Sequence, residues 1–352
     1  MTTGTSHTLP IEHWADAVYA TVVYCNMFDF APSLIDVQKW LLRPRQFSAM
    51  PRLSEIQQLL DADPRLTHVD GVYVLHGRKG LAQQRNEKYN FTETKWQYAK
   101  PLLRLLSVMP FVRGVWLCNS MGWNNARRLS DIDIVIIAKA GHIWTARLFT
   151  AGIMKLLKQR PGEQHPAKAI CLSMYIADNH LNLEDSRHAD GDIHFDFWCT
   201  QFYPVLDRDA LYERFRSENT WLAHTFADLQ WTLPVSHRTL SWKPWHRGIQ
   251  TTLERLNPLT GNTIQHLKLL LKRFNPLPRM IERAEDVFFR LRRRRGLLLR
   301  PSVSALEKLQ ALSGSSRLDL HLTDTLRQLL VLPPLFLNSL KWDELSFAAL
   351  PI

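Results

Sequence analysis

The stretch that decides how this chain folds is Asn119-Ser-Met-Gly-Trp-Asn-Asn-Ala126, followed closely by Ser130-Asp-Ile-Asp-Ile134. The first part follows an apolar run, Phe111 to Cys118, that reads as a strand. The second opens another run, Asp131 to Ala138, whose remaining residues are almost continuously apolar, as in a strand buried on both faces. Side chains at i and i+2 of a strand share a face, so Asp131 and Asp133 point the same way. Charges in such a strand are costly unless they meet a cation or a strong partner. Two carboxylates on one face form a hard oxygen site suited to Mg2+ or Mn2+. Ser120 lies eleven positions before Asp131, in a strand-to-helix turn. Backbone amides and a hydroxyl at a helix start favour phosphate.

Around this centre the pattern is α+β. Downstream, Trp144 to Lys158 reads as a helix, Ala169 to Ile176 as a strand, and His194 to Tyr203 as a helix that stops at Pro204. Upstream, helices are expected over 15–28, 34–41 and 54–60. Two short strands follow, Leu66 to Val69 and Val72 to Leu75, around the Asp70-Gly71 turn. Three helices and a hairpin are the order of a winged helix. A long helix is expected from Thr92 to Ser107, and the last third reads as mostly helical with proline breaks. The expected division is a winged-helix-like module at 11–80, a catalytic core at 81–210 and a basic helical region at 211–352.

The winged-helix module is poorly equipped to read DNA. Its third helix, Leu53 to Leu60, contains no Lys or Arg, with only Arg52 at its start. Phosphate neutralisation supplies most DNA affinity, so Gln57 and Gln58 lack support. A packing or substrate-positioning role fits better.

The run Asn119-Ser120 … Ser130-Asp131-Ile132-Asp133-Ile134 resembles the signature of the DNA polymerase beta-like nucleotidyltransferase superfamily: a Gly-Ser turn, a loop of about ten residues, then Asp-x-Asp on a strand. Gly122, Asn125 and Ala126 match the loop pattern of minimal bacterial nucleotidyltransferases. A weaker likeness spans about residues 15 to 225. In its order of modules the chain looks like a group of uncharacterised bacterial and archaeal predicted nucleotidyltransferases, with Trp144-Thr-Ala-Arg147 after the core. The resemblance implies a mixed-sheet nucleotidyltransferase fold and transfer of a nucleoside monophosphate from an NTP to an acceptor hydroxyl. Asp131 and Asp133 would be catalytic and hold Mg2+ or Mn2+. Asn119, Ser120, Gly122, Asn125 and Arg147 would face the nucleotide. The chain departs from the pattern twice. Asn119 stands where glycine is usual, although asparagine tolerates a left-handed backbone better than most residues. The strand Ala169 to Ile176 carries no third acid, and Asp178, Glu184 and Asp185 only follow it. A catalytically degenerate binding or scaffold protein on the same fold is the second expectation, and a winged-helix nucleic-acid-binding regulator the third.

Composition adds bounds. The 352 residues are 45% hydrophobic and 22% charged, which suits two or three globular domains. No apolar run reaches the roughly 18–20 residues that span a bilayer. The polar start, Met1 to Pro10, has no secretory pattern, so a cytoplasmic location is expected. Cys25, Cys118, Cys171 and Cys199 are widely spaced among apolar residues and read as buried thiols. The net charge of +11 is concentrated. Between Ser241 and Pro301, 14 Lys and Arg face 4 Asp and Glu. Within that stretch, Ile281 to Gly296 reads as a basic amphipathic helix. Its alternatives are a solvated helix face or a partner such as RNA or an anionic membrane surface. His188, His194 and Asp196 lack convincing zinc spacing and read as structural.

Overall fold

Three helices open the chain: α1 Trp14–Met27, α2 Leu34–Lys39 and α3 Leu53–Ala62. The computed structural model describes residues 11–45, 49–161, 166–187 and 193–256, with short strands at 281–283 and 286–288. Ala17 to Asn26 are all buried, so α1 is enclosed on every side. Helix α2 starts at a capping box, in which Asp36 N donates to Ser33 Oγ (3.3 Å) and Ser33 N donates to Asp36 Oδ2 (2.9 Å). Strands β1 Leu66–Val69 and β2 Val72–Leu75 pair antiparallel. Asp70 (φ 50) and Gly71 (φ 76) are both left-handed, as a two-residue hairpin turn requires.

Helix α4 runs from Gly80 to Ser107, starting twelve residues before the expected Thr92. Its first turns carry no apolar stripe for periodicity to detect. Tertiary contacts hold them instead: Arg85 NH2 reaches Asp36 Oδ2 at 2.8 Å, and Lys88 Nζ donates to the Asp29 carbonyl.

Then come β3 Val112–Leu117, a short α5 Asn119–Gly122, β4 Ile132–Ala138, α6 Ile143–Leu156, β5 Ile170–Ala177, α7 Ile193–Thr200, β6 Tyr203–Asp207, α8 Leu211–Glu218 and α9 Pro244–Leu256. The main sheet has the order β5-β4-β3-β6. β4 and β5 are parallel, and the other neighbours are antiparallel. Strand β6 corrects the sequence reading, which carried a helix to Tyr203 and stopped it at Pro204. The helix ends at Thr200, and Pro204 lies inside a strand. That strand pairs only with β3 at the sheet edge, where a residue without an N–H is tolerated.

Alternation along β4 sorts the core. Ile132, Ile134, Ile136 and Ala138 pack with α4 and α6 on one face, around Trp96, Leu103, Trp144 and Met154. Val135 and Ile137 pack on the other face with α1, α2, α3, α7 and α8. That second cluster is continuous from Ile11 to Phe226. Buried residues of the winged-helix-like stretch at 11–80 belong to the same cluster as those of the sheet and α8.

Helix α9 docks at the start of β3. Glu254 Oε1 accepts from Phe111 N (2.8 Å) and from Arg113 NH1 (2.9 Å). Burial pushes the Glu254 carboxyl up, but the bonds from Arg113 and Phe111 outweigh it and leave it below its ordinary value. A carboxyl depressed in the folded state stabilises above its unfolded pKa of about 4.3, and that contribution is lost as pH falls through the folded value. Amide exchange over 244–256 should therefore rise as pH drops below about 4, in excess of its intrinsic pH dependence. Glu254→Gln should flatten that response. A response unchanged in the variant would separate α9 docking from this carboxyl.

The expected helix over 281–296 is also corrected in part. Ile281–Arg283 and Asp286–Phe288 form an antiparallel strand pair, β7 and β8, because a short apolar pattern does not by itself separate helix from strand. Residues 289–352, with most of the basic run, lie outside the described residues. Among the described residues no helix is long and apolar enough to cross a membrane.

Candidate functional site

The two aspartates lie where β4 begins. Asp131 directly precedes the strand and Asp133 is its second residue, and both are buried. Their face of the sheet is the one covered by the N-terminal helices, by alternation with Val135 and Ile137. Two neighbouring strands complete the surroundings. Cys118 N donates to the Asp133 carbonyl (3.1 Å), which sets the end of β3 beside Asp133 on one side. On the other side Cys171 of β5 is the register partner of Asp133.

Strand β5 slips register between Ile134 and Val135 of β4, leaving Ser173 as an extra residue. This bulge turns Ser173 toward the aspartates, and its Oγ donates to Asp133 Oδ1 at 2.6 Å. Cys171 and Ser173 are thus the β5 residues beside Asp133, on a strand that carries no acid. Ligand atoms of Asp131, Asp133 and Cys171 all lie within 4.8 Å of one another. Burial raises the Cys171 thiol well above its ordinary value, and Asp133 and Asp131 raise it further. Cys118 is raised in the same way, by burial and then by Asp133. Cys118 follows β3 and Cys171 lies on β5, with β4 between them, and both are free thiols.

The loop before Asp131 is held from below by Lys95 of α4. This buried lysine donates to the carbonyls of Arg128 (3.2 Å), Ser130 and Ala167 (2.6 Å). Sequence reading missed it, because nothing local to residue 95 announces a partner 35 positions away.

On the other side the turn after β3 opens a pocket. Asn119 is left-handed (φ 49), the conformation for which asparagine stands in for glycine. Its Oδ1 accepts from Trp198 Nε1 at 2.6 Å. Asn119, Ser120 and Asn125 line the pocket together with Arg127, Trp123 and Trp198, and Tyr24, Phe28, His194 and Gln201 complete the wall. Its water-accessible space is about 30 Å³, within about 460 Å³ counted out to open solvent at its mouth. The N-terminal helices supply one side: Asn125 Nδ2 donates to the Phe28 carbonyl (2.9 Å), and Arg127 pairs with Asp29 (2.7 Å). None of these aromatic residues could be assigned to the site from sequence, because Tyr24, Phe28 and Trp198 reach it only through packing.

The other candidates sit elsewhere. Gly122 does not line the pocket. A Cβ there would lie 2.3 Å from the Gln201 carbonyl, so the glycine lets α5 approach the end of α7. Arg147 lies on the opposite face of the sheet, its guanidinium 5.6 Å from the ring centre of Tyr175, which belongs to the α4–α6 core. Asn119, Ser120 and Asn125 thus share the pocket wall, Asp131 and Asp133 form a second group with Cys171, the backbone bond from Cys118 to Asp133 links the two, and Arg147 lies apart. Asp178 caps the far end of the sheet, where its Oδ1 accepts from Ala140 N (2.9 Å). Asp196 pairs with Arg187 (2.7 Å), while His194 stays in the pocket wall, bonded to Tyr24 Oη (2.9 Å). His188 lies outside the described residues.

Replacing Asn119 tests the turn. Asn119→Ala should destabilise by about 2 kcal/mol, from a left-handed alanine and the lost Trp198 bond together. Asn119→Gly keeps the backbone free and should lose about half as much. Urea unfolding with equal slopes checks this ordering. Equal losses would mean that the backbone conformation is immaterial.

No protein-family model matches this chain, and no curated protein or solved structure shows significant similarity to it.

Proposed function

We propose that this chain is a metal-dependent nucleotidyltransferase that moves a nucleoside monophosphate from an NTP to an acceptor hydroxyl. One observation carries the reading: two buried carboxylates share a face of β4, beside a left-handed Asn-Ser turn on β3 that opens into a pocket. The donor set fits a divalent cation, because two carboxylate oxygens meet in a buried place. Bound there, a cation supplies charge neutralisation for the phosphates and activation of the acceptor hydroxyl.

The chain's own groups do the positioning. Asp131 and Asp133 set the anionic centre, and Ser173 fixes the Asp133 carboxylate through its hydrogen bond. The Ser120 hydroxyl and the adjoining turn face the pocket and hold phosphate oxygens. Trp123, Trp198 and Phe28 offer apolar walls to a planar or cyclic group. Catalysis then rests on alignment and charge, with no covalent enzyme intermediate.

A second reading has its own support. Cys171 and Ser173 replace the third acid, which suits a relative that binds nucleotide without turnover. Incubation with labelled ATP, CTP, GTP and UTP, a divalent cation and cell extract separates the two. A labelled acceptor and released pyrophosphate support the transferase. Nucleotide binding with no transfer under any cation supports the silent relative.

A further inference from the structure

We infer that Asp131, Asp133 and Cys171 form a mixed oxygen–sulfur site that selects a zinc-class divalent ion over magnesium. The inference rests on the transferase reading for its position and goes beyond it in the identity of the ion.

The geometry comes from strand register. Parallel pairing sets Cys171 directly beside Asp133, and alternation sets Asp131 on the same face. The three ligand atoms fall within 4.8 Å of one another, close to the span that a single ion of 2.0–2.3 Å bonds bridges. All three residues are buried, with Cys171 3% exposed. Magnesium demands oxygen ligands, so a sulfur in the ring gives it nothing. Zinc takes carboxylate and thiolate together, and its catalytic sites have three protein ligands with a fourth position open. Ser173 adds an outer bond that orients Asp133, the arrangement metal-bound carboxylates use. Binding exchanges one proton for one ion. The Cys171 S–H bond breaks, the proton leaves to solvent, the sulfur keeps the electron pair and donates it to the metal, and no redox change occurs.

Cys118 lies on the opposite side of Asp133 and is the internal control. It shares the burial and the neighbouring carboxylate, so a general effect of buried thiols acts on both cysteines alike.

The test uses the full-length protein stripped with a chelator and titrated with Co2+ or Cd2+. Wild type should develop a sulfur-to-metal charge-transfer absorption that saturates at one ion per chain. Zn2+ should compete it away, and excess Mg2+ should not. Cys171→Ser should abolish the band and lower Cd2+ affinity by at least about tenfold, while Cys118→Ser keeps both. X-ray absorption of the zinc-loaded wild type should show one sulfur at about 2.3 Å, a readout that needs no variant. A wild type without a sulfur-to-metal band, a band surviving in Cys171→Ser, or a zinc shell of oxygen and nitrogen only would overturn the inference. Nucleotidyl transfer supported by Mg2+ with no sulfur band would sink this inference and leave the transferase reading standing. A sulfur-bound ion with no transfer under any cation would do the reverse.

Discussion

Asp131→Asn and Asp133→Asn should each lower nucleotidyl transfer by at least about a hundredfold to a thousandfold, the loss that follows deletion of one preorganised electrostatic contact. Their melting temperatures should stay level or rise. Both carboxylates are buried within 4.8 Å of a common partner, so without a cation they repel. Removing one charge relieves that repulsion, and sites built for function are often improved in stability by such changes. Asparagine keeps an oxygen that can accept the Ser173 hydroxyl, so the local geometry survives Asp133→Asn. Thermal unfolding and transfer measured on the same preparations decide the matter. Two variants that unfold would make the aspartates structural partners and end the catalytic assignment.

Lys95→Met should have the largest effect on stability outside the apolar core. The change removes one ammonium and leaves three carbonyls without it, that of Ser130 buried and those of Arg128 and Ala167 part-buried. A buried acceptor left unsatisfied costs about 1–3 kcal/mol and a part-buried one less, so a loss of about 2–4 kcal/mol is expected. For a chain of this size that is roughly 10 °C in melting temperature. Activity should fall further than unfolding explains, because the Ser130 carbonyl belongs to the residue just before Asp131. Transfer measured well below the melting point, together with amide exchange over 128–131, separates the two effects. A stable Lys95→Met protein with unchanged exchange in that loop would show that the lysine does not hold it.

The helical and strand segments around the site were legible because their signals are local. The Asp70-Gly71 pair calls for a two-residue hairpin, and both residues are left-handed in the structure. Ser33 with Asp36 announces a helix start, and the capping box is there. Failures came where context overrode local preference. Pro204 reads as a helix stop and sits in an edge strand. The polar first turns of α4 give no periodic signal because Asp29 and Asp36 hold them from another element. Arg147 follows the aspartates in sequence at a distance that invites a shared site, yet its helix covers the other face of the sheet.

By itself the sequence determined the α+β class, the hairpin, the common face of Asp131 and Asp133, and the left-handed turn that Asn119 accommodates. Each follows from the period of a strand or the allowed backbone of one residue, properties that a few neighbouring residues settle. Only the tertiary structure decided what surrounds them. Parallel pairing of β4 with β5 brought Cys171 and Ser173 to the aspartates across some 40 residues of chain. Packing of the N-terminal helices onto the sheet placed Tyr24 and Phe28 against Asn119 and Ser120. Such neighbours are chosen by burial of apolar faces and by strand register, which depend on the whole chain at once and leave no mark within any short window of it.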